Sequence, residues 1–162
     1  NENISSRISY IFFYYCFDNI IFSNANYLMK KIFKQISNKP GFMKHNGGLF
    51  FRRITNDKYQ FKTKITKKHL NRAGITHGGY LASIIDAGSG TAVHRVAENK
   101  ICVTISLDIK FIGSSNIGDE IIGDIKIEKA TKTLVFVNCV LNSKKNKIAV
   151  ASGVWKKTNR YF

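Results

Sequence analysis

Proline is nearly missing from this chain. Pro40 is the only one in 162 residues, beside 12 glycines, which excludes a proline-rich linker and a fibrous Gly-x-y repeat. Cysteine is scarce as well: Cys16, Cys102 and Cys139 are odd in number and lack Cys-x-x-Cys or Cys/His spacing. Neither a disulfide framework nor a metal site follows from them, and a reducing, cytoplasmic compartment is the expected home. Long apolar runs are missing too. Ile11 to Phe17 and Ile20 to Phe22 are separated by Asp18, and neither approaches the roughly 20 residues of a membrane span.

Acidic residues are few: 10 Asp and Glu stand against 26 Lys and Arg, a formal charge of +16. That balance admits nucleic acid, an anionic membrane surface or a phosphate-bearing small molecule as partner. The basic residues are scattered in short pairs, such as Lys30-Lys31, Arg52-Arg53 and Lys156-Lys157. With no basic helix stripe and no aromatic RNA-binding motif, a nucleic-acid partner is not expected. A base-composition bias in the coding DNA explains the abundance of Lys, Asn, Ile and Phe, with attraction of an anionic substrate as the second explanation.

What is present is an ordinary globular composition, 44% hydrophobic and 22% charged, enough for one domain with a core. Residues 1–28 differ in character and are set aside as an extension: a misassigned start ahead of Met29, a signal or anchor, or a structured addition. The domain is expected over 29–162. Leu28, Ile32, Phe33 and Ile36 recur at helical spacing and predict a short helix closed by Asn38-Lys39-Pro40-Gly41. Strand-like runs at 48–55 and 58–66 flank Asn56-Asp57, a hairpin turn.

Thr76 is the expected N-cap of the one long helix, from His77 to about Ala97. Leu81, Ile84, Ile85, Gly88, Ala92 and Val96 form its apolar face. Its many small residues predict that other backbone approaches closely, as in a curved sheet wrapped around the helix. Beyond Lys100, Val103, Ile105, Leu107, Ile109 and Phe111 alternate with Thr104, Ser106, Asp108 and Lys110. Further strands are expected at about 119–129, 133–142 and 147–157, joined by short loops as an antiparallel meander. The fold class is α+β.

Two features carry chemistry. Thr76-His77-Gly78-Gly79 opens the long helix, where the first amides lack internal partners and the helix dipole concentrates positive potential. Glycines there let an acyl carbonyl oxygen approach, although a tight turn alone would also need them. Asp86 lies mid-helix among apolar and small residues, where an acid is costly without compensation; a solvated face is the alternative. It follows His77 by nine positions, about 13 Å along a helix axis. Both groups cannot reach one carbonyl within a single chain, whereas a two-fold dimer would bring them together.

Asn71-Arg72-Ala73-Gly74-Ile75-Thr76-His77-Gly78-Gly79, followed by Asp86, resembles the N-x-x-G-x-x-H-G-G…D signature of hot-dog thioesterases. The likeness is to the phenylacetate-degradation and human thioesterase-superfamily-member-2 types. It extends through Val103 to Phe111 and to Gly118-Asp119, over about residues 40–157. The resemblance implies a hot-dog fold, a curved antiparallel sheet around one long central helix, and hydrolysis of acyl-CoA or aryl-CoA thioesters by a homodimer or homotetramer. It implies Asp86 as general base or nucleophile, Gly78 N–H polarising the carbonyl, and His77 shaping the turn. Asn71 would orient water or hold the thioester, and Thr104 would assist the water. Asp86 and Thr104 would come from one subunit, Asn71, His77 and Gly78 from its partner. No cofactor or metal is implied, and no membrane partner.

Three rivals remain. Hot-dog dehydratases use a proline-rich turn after the His, where this chain has two glycines. A non-catalytic acyl-CoA-binding or regulatory module would bind without turnover. A basic nucleic-acid binder would show steep salt dependence. Outside the motif, His69 and His94 are expected as surface or helix decoration and Asp108 as a solvated or paired charge. His45, beside Asn46-Gly47-Gly48, begins no phosphate loop.

Overall fold

A computed structural model describes residues 32–144 and 146–161. Expectations for residues 1–28, Cys16 among them, and for the beginning of the helix expected over 28–36 lie outside that span. Phe33–Phe162 is one compact unit. Its elements are β1 (Lys34–Ile36), α1 (Phe42–His45), β2 (Leu49–Arg53), β3 (Lys58–Lys64), α2 (Gly78–Val96), β4 (Lys100–Phe111), β5 (Glu120–Ala130), β6 (Leu134–Asn142) and β7 (Lys147–Tyr161). The seven strands form one sheet in the order β1-β2-β3-β5-β6-β7-β4, every pair antiparallel.

The single long helix lies against this sheet and touches every strand from β2 to β7. Six strands spaced about 4.8 Å apart span about 24 Å, whereas a helix with its side chains is only about 10 Å wide. Only a curved sheet brings all six against one helix, and the result is the α+β, wrapped-helix arrangement expected. Leu81, Ile84, Ile85, Ala92 and Val93 of α2 face Phe61, Ile121, Val135, Leu141, Ile148 and Trp155. Each fully buried aliphatic or aromatic side chain of this kind contributes on the order of 1.5–3 kcal/mol.

Four expectations are corrected. Residues 34–36 form a strand rather than a helix end, because Lys34, Gln35 and Ile36 pair with Phe51, Phe50 and Leu49 along the open edge of β2. A helical turn follows only after Pro40-Gly41, as α1. The last four strands are not a simple meander either. Strands β5, β6 and β7 are one, but β4 crosses to the far side of β7, leaving β3 to pair with β5.

At Gly88 of α2 the missing side chain makes room for an aromatic ring rather than for backbone. A Cβ on Gly88 would lie 2.2 Å from Phe61 Cδ1, and one on Gly123 of β5 would meet the same ring at 2.2 Å. Phe61 is thus clamped between helix and sheet by two glycines.

The fourth correction concerns the alternation along β4. Thr104 pairs with Trp155 and Ser106 with Val154, so Ile105 is an extra residue in a β-bulge. A bulge shifts the side-chain phase by one residue. Before it, Thr104 points to α2, where it meets Asp86. After it, Leu107 and Ile109 pack against the core, while Val103 and Ile105 are 48% and 57% exposed.

Candidate active site

The helix start is built from the inside out. Thr76 is buried, its N–H and Oγ1–H both donating to the Ser115 carbonyl, and it accepts a 2.8 Å hydrogen bond from Ser115 Oγ. Thr76 is therefore an anchor for the 112–118 loop, and the cap passes to the next residue. His77 is the N-cap in extended backbone, φ −65° and ψ 131°, and its Nδ1 accepts the Gly79 N–H at 2.8 Å. Because Nδ1 accepts, the neutral ring carries its proton on Nε2.

The first amides of α2 divide unevenly. His77 N–H donates to the His69 carbonyl, Gly79 N–H to His77 Nδ1, and Tyr80 and Leu81 N–H to the His77 carbonyl. The Gly78 N–H has no partner among the described residues, and it sits at the positive end of the helix dipole. The ring of Phe111 lies alongside, Cζ 3.5 Å from where a Gly78 Cβ would stand. An unpaired, dipole-backed donor beside an apolar ring is suited to receive a carbonyl oxygen.

Asn71 governs the loop before this turn. Its Oδ1 accepts from the Ala73 and Ile75 N–H groups, and its backbone N–H donates to the Ile75 carbonyl at 2.8 Å. Gly74, at φ 78°, takes the left-handed position the loop requires. With Oδ1 so engaged, the NH₂ of Asn71 is the part of its side chain left to donate.

Asp86 sits on the exposed edge of α2, and Thr104 Oγ1 donates to its Oδ1 at 2.7 Å. A cleft of about 320 Å³ opens beside this pair, between α2 and strands β4 and β7. Its lining includes Asp86, Thr104, Gly90, His94, Cys102 and Trp155. Two hollows of similar size lie over the strands without touching any site residue. Asp86 and Gly78 share one helix, eight residues apart, so about 12 Å of helix separates them. Within one chain the residues fall into two groups: Asp86 with Thr104, and Asn71 with His77 and Gly78.

Two residues that support the site escaped the motif. His69, expected on the surface, is 3% exposed and stacks on Tyr80 with centroids 3.8 Å apart and planes 6° off parallel. Its Nδ1 accepts the Thr66 N–H and its Nε2–H donates to the Asn46 carbonyl, while its own carbonyl takes the His77 N–H. Burial holds its pKa below the ordinary 6.5, which keeps the ring neutral. Ser115 is the second, buried against Thr76. The only hint of His69 in sequence is its place two residues before Asn71.

The remaining candidates stand apart. His94 is half-buried at the end of the cleft, its Nδ1 2.9 Å from the Lys100 carbonyl. His45 is exposed, with its carbonyl accepting from Lys68 Nζ. Asp108 pairs with Lys110 at 2.5 Å on an exposed face, the paired charge expected. Burial pushes the Cys139 thiol up to about 12. Among the described residues, no helix is long and apolar enough to cross a membrane.

Residues 73–150 match the profile of the thioesterase superfamily. An inferred esterase of Pseudomonas aeruginosa is 30% identical over 110 residues, covering 67% of this chain and 82% of that protein. Mouse acyl-coenzyme A thioesterase 13 is 28% identical over 130 residues, covering 80% of this chain and 90% of that protein. Among solved structures, zebrafish thioesterase superfamily member 2 aligns with a TM-score of 0.68 at 24% identity, over 75% of this chain and 90% of that one.

Proposed function

This chain belongs to the thioesterase superfamily, and we propose that it hydrolyses acyl-CoA thioesters, aryl-CoA included, at a site that two copies of the chain build together. The hydrogen bond from Thr104 to Asp86 carries the proposal. It occupies Oδ1 and leaves Oδ2 of an exposed carboxylate to accept a proton from water at the mouth of a cleft. In this reading the water oxygen attacks the thioester carbonyl carbon while Asp86 takes the water proton. The carbonyl oxygen, now negative, is held by the partner's helix start through Gly78 N–H, with the Asn71 NH₂ close by to orient the water or the thioester. Collapse of the tetrahedral intermediate breaks the C–S bond. The CoA thiolate leaves and recovers the proton that Asp86 had taken.

The separation along α2 supports a shared site, since no single carbonyl bridges about 12 Å. The edge of β4 supports it too. Strand edges of this kind are normally covered, and here Val103, Ile105 and Phe111 stand 48%, 57% and 51% exposed in the single chain. A second copy docked along β4 would bury them and bring each Asp86 toward the other chain's Gly78. The resemblance also implies pairing of such dimers into tetramers. The excess of Lys and Arg would draw in the CoA phosphates.

Release of free thiol from acetyl-, hexanoyl-, phenylacetyl-, hydroxybenzoyl- and palmitoyl-CoA tests this, with Asp86→Ala and Asp86→Asn in parallel. Turnover lost by about 10³-fold or more in both variants is expected. A wild-type protein that binds acyl-CoA without turnover would instead be a binding module.

A further inference from the structure

Gly88 and Gly90 lie two residues apart in the middle of α2, and they are glycine for different reasons. Glycine is among the poorest helix formers, so each position needs an explanation. At Gly88 packing supplies it: a Cβ would stand 2.2 Å from Phe61 Cδ1. At Gly90 packing supplies none. A Cβ there would meet nothing nearer than Trp155 Nε1 at 3.7 Å, an ordinary van der Waals contact. Alanine would fit the chain and favour the helix, yet the position is glycine.

What Gly90 borders is the cleft beside Asp86. Asp86, Gly90 and His94 follow one another at four-residue intervals, one stripe of the helix running along the cleft. Trp155 forms a wall. His94 and Cys102 stand at the far end, where His94 Nδ1 and Cys102 Sγ both lie against the Lys100 carbonyl, at 2.9 and 3.5 Å. The cleft thus begins at the proposed reacting carboxylate and ends at a tethered wall.

We propose that the acyl group of the substrate lies in this cleft and that the missing side chain at Gly90 sets the size of acyl group accepted. The inference rests on the hydrolase reading above. A volume of about 320 Å³ is at the small end of ligand pockets, which run from about 300 to 1,000 Å³. The two hollows away from the site have similar volumes, so this cleft is singled out by its place beside Asp86 and Thr104 and not by its size.

Gly90→Ala and Gly90→Val test this with acetyl-CoA and phenylacetyl-CoA. Gly90→Ala should melt about 2–4 °C higher than the wild type. Gly90→Val should lower the ratio of kcat/KM for phenylacetyl-CoA to that for acetyl-CoA by about tenfold or more. Equal loss on both substrates, or loss on neither, overturns the proposal. The chain's single tryptophan gives a second measure that needs no turnover. A thioether analogue of phenylacetyl-CoA should change its emission while CoA alone does not, and Gly90→Val should abolish the change. An analogue that inhibits but leaves the emission untouched places the acyl group elsewhere. If the wild type turns over no acyl-CoA, the hydrolase reading fails, and the emission titration decides alone whether the cleft takes an acyl group.

Discussion

Thr104 Oγ1 reaches Asp86 Oδ1 at 2.7 Å because β4 carries one extra residue, Ile105, against β7. Without that bulge, Thr104 would share the phase of Ser106 and face away from α2. The bulge is what aims the hydroxyl at Asp86.

Removing that hydroxyl should slow the reaction without weakening substrate binding. Thr104→Ala is expected to lower kcat about tenfold, as loss of a hydrogen bond to a charged group would, with KM nearly unchanged. Thr104→Ser should recover most of the rate. Steady-state kinetics on the best acyl-CoA check this, and equal losses for Ala and Ser would show that the hydroxyl plays no part.

Phe61 predicts a stability effect of opposite sign to that at Gly90. Gly88→Ala drives a methyl into the Phe61 ring, and overpacking of this kind costs about 1–3 kcal/mol. The melting temperature should fall by about 5 °C, measured by circular dichroism. Phe61→Leu combined with Gly88→Ala should restore part of it. An unchanged melting temperature in the single variant would mean that the clamp on Phe61 is loose.

His69 predicts a pH dependence. Burial lowers its folded pKa beneath the unfolded value near 6.5, so the folded state binds fewer protons between the two values. Its contribution to stability is therefore complete above about 6.5 and is lost as pH falls from there toward the folded pKa. The melting temperature of the wild type should drop over that interval, and His69→Gln should lack this part of the drop. Parallel pH profiles for the two proteins would contradict it.

Much of this was legible in sequence because it is local. The helix expected from His77 to about Ala97 runs Gly78–Val96, and the hairpin and later strands fall within a few residues of their expected positions. What was not legible depends on partners distant in the chain. Lys34–Ile36 is a strand only because β2 offers an edge. The phase change in β4 depends on its register with β7, which no alternation pattern contains. His69 has the sequence surroundings of a surface residue, and its burial depends on Tyr80 stacking over it and on the Asn46 carbonyl across the chain. Thr76 reads as a cap until Ser115 takes its hydroxyl.

In the proposed site, Asp86 of one chain acts with the helix start of the other. Gly78→Pro isolates the second half. It removes a single unpaired N–H at the first helical position, where proline is well tolerated, and His77 already has the extended backbone a following proline needs. Alone, Asp86→Asn and Gly78→Pro should each be nearly inactive. Co-expressed equally, they should form mixed dimers in which one of two sites is intact, restoring about a quarter of wild-type activity. A mixture no more active than either variant alone would contradict the shared site.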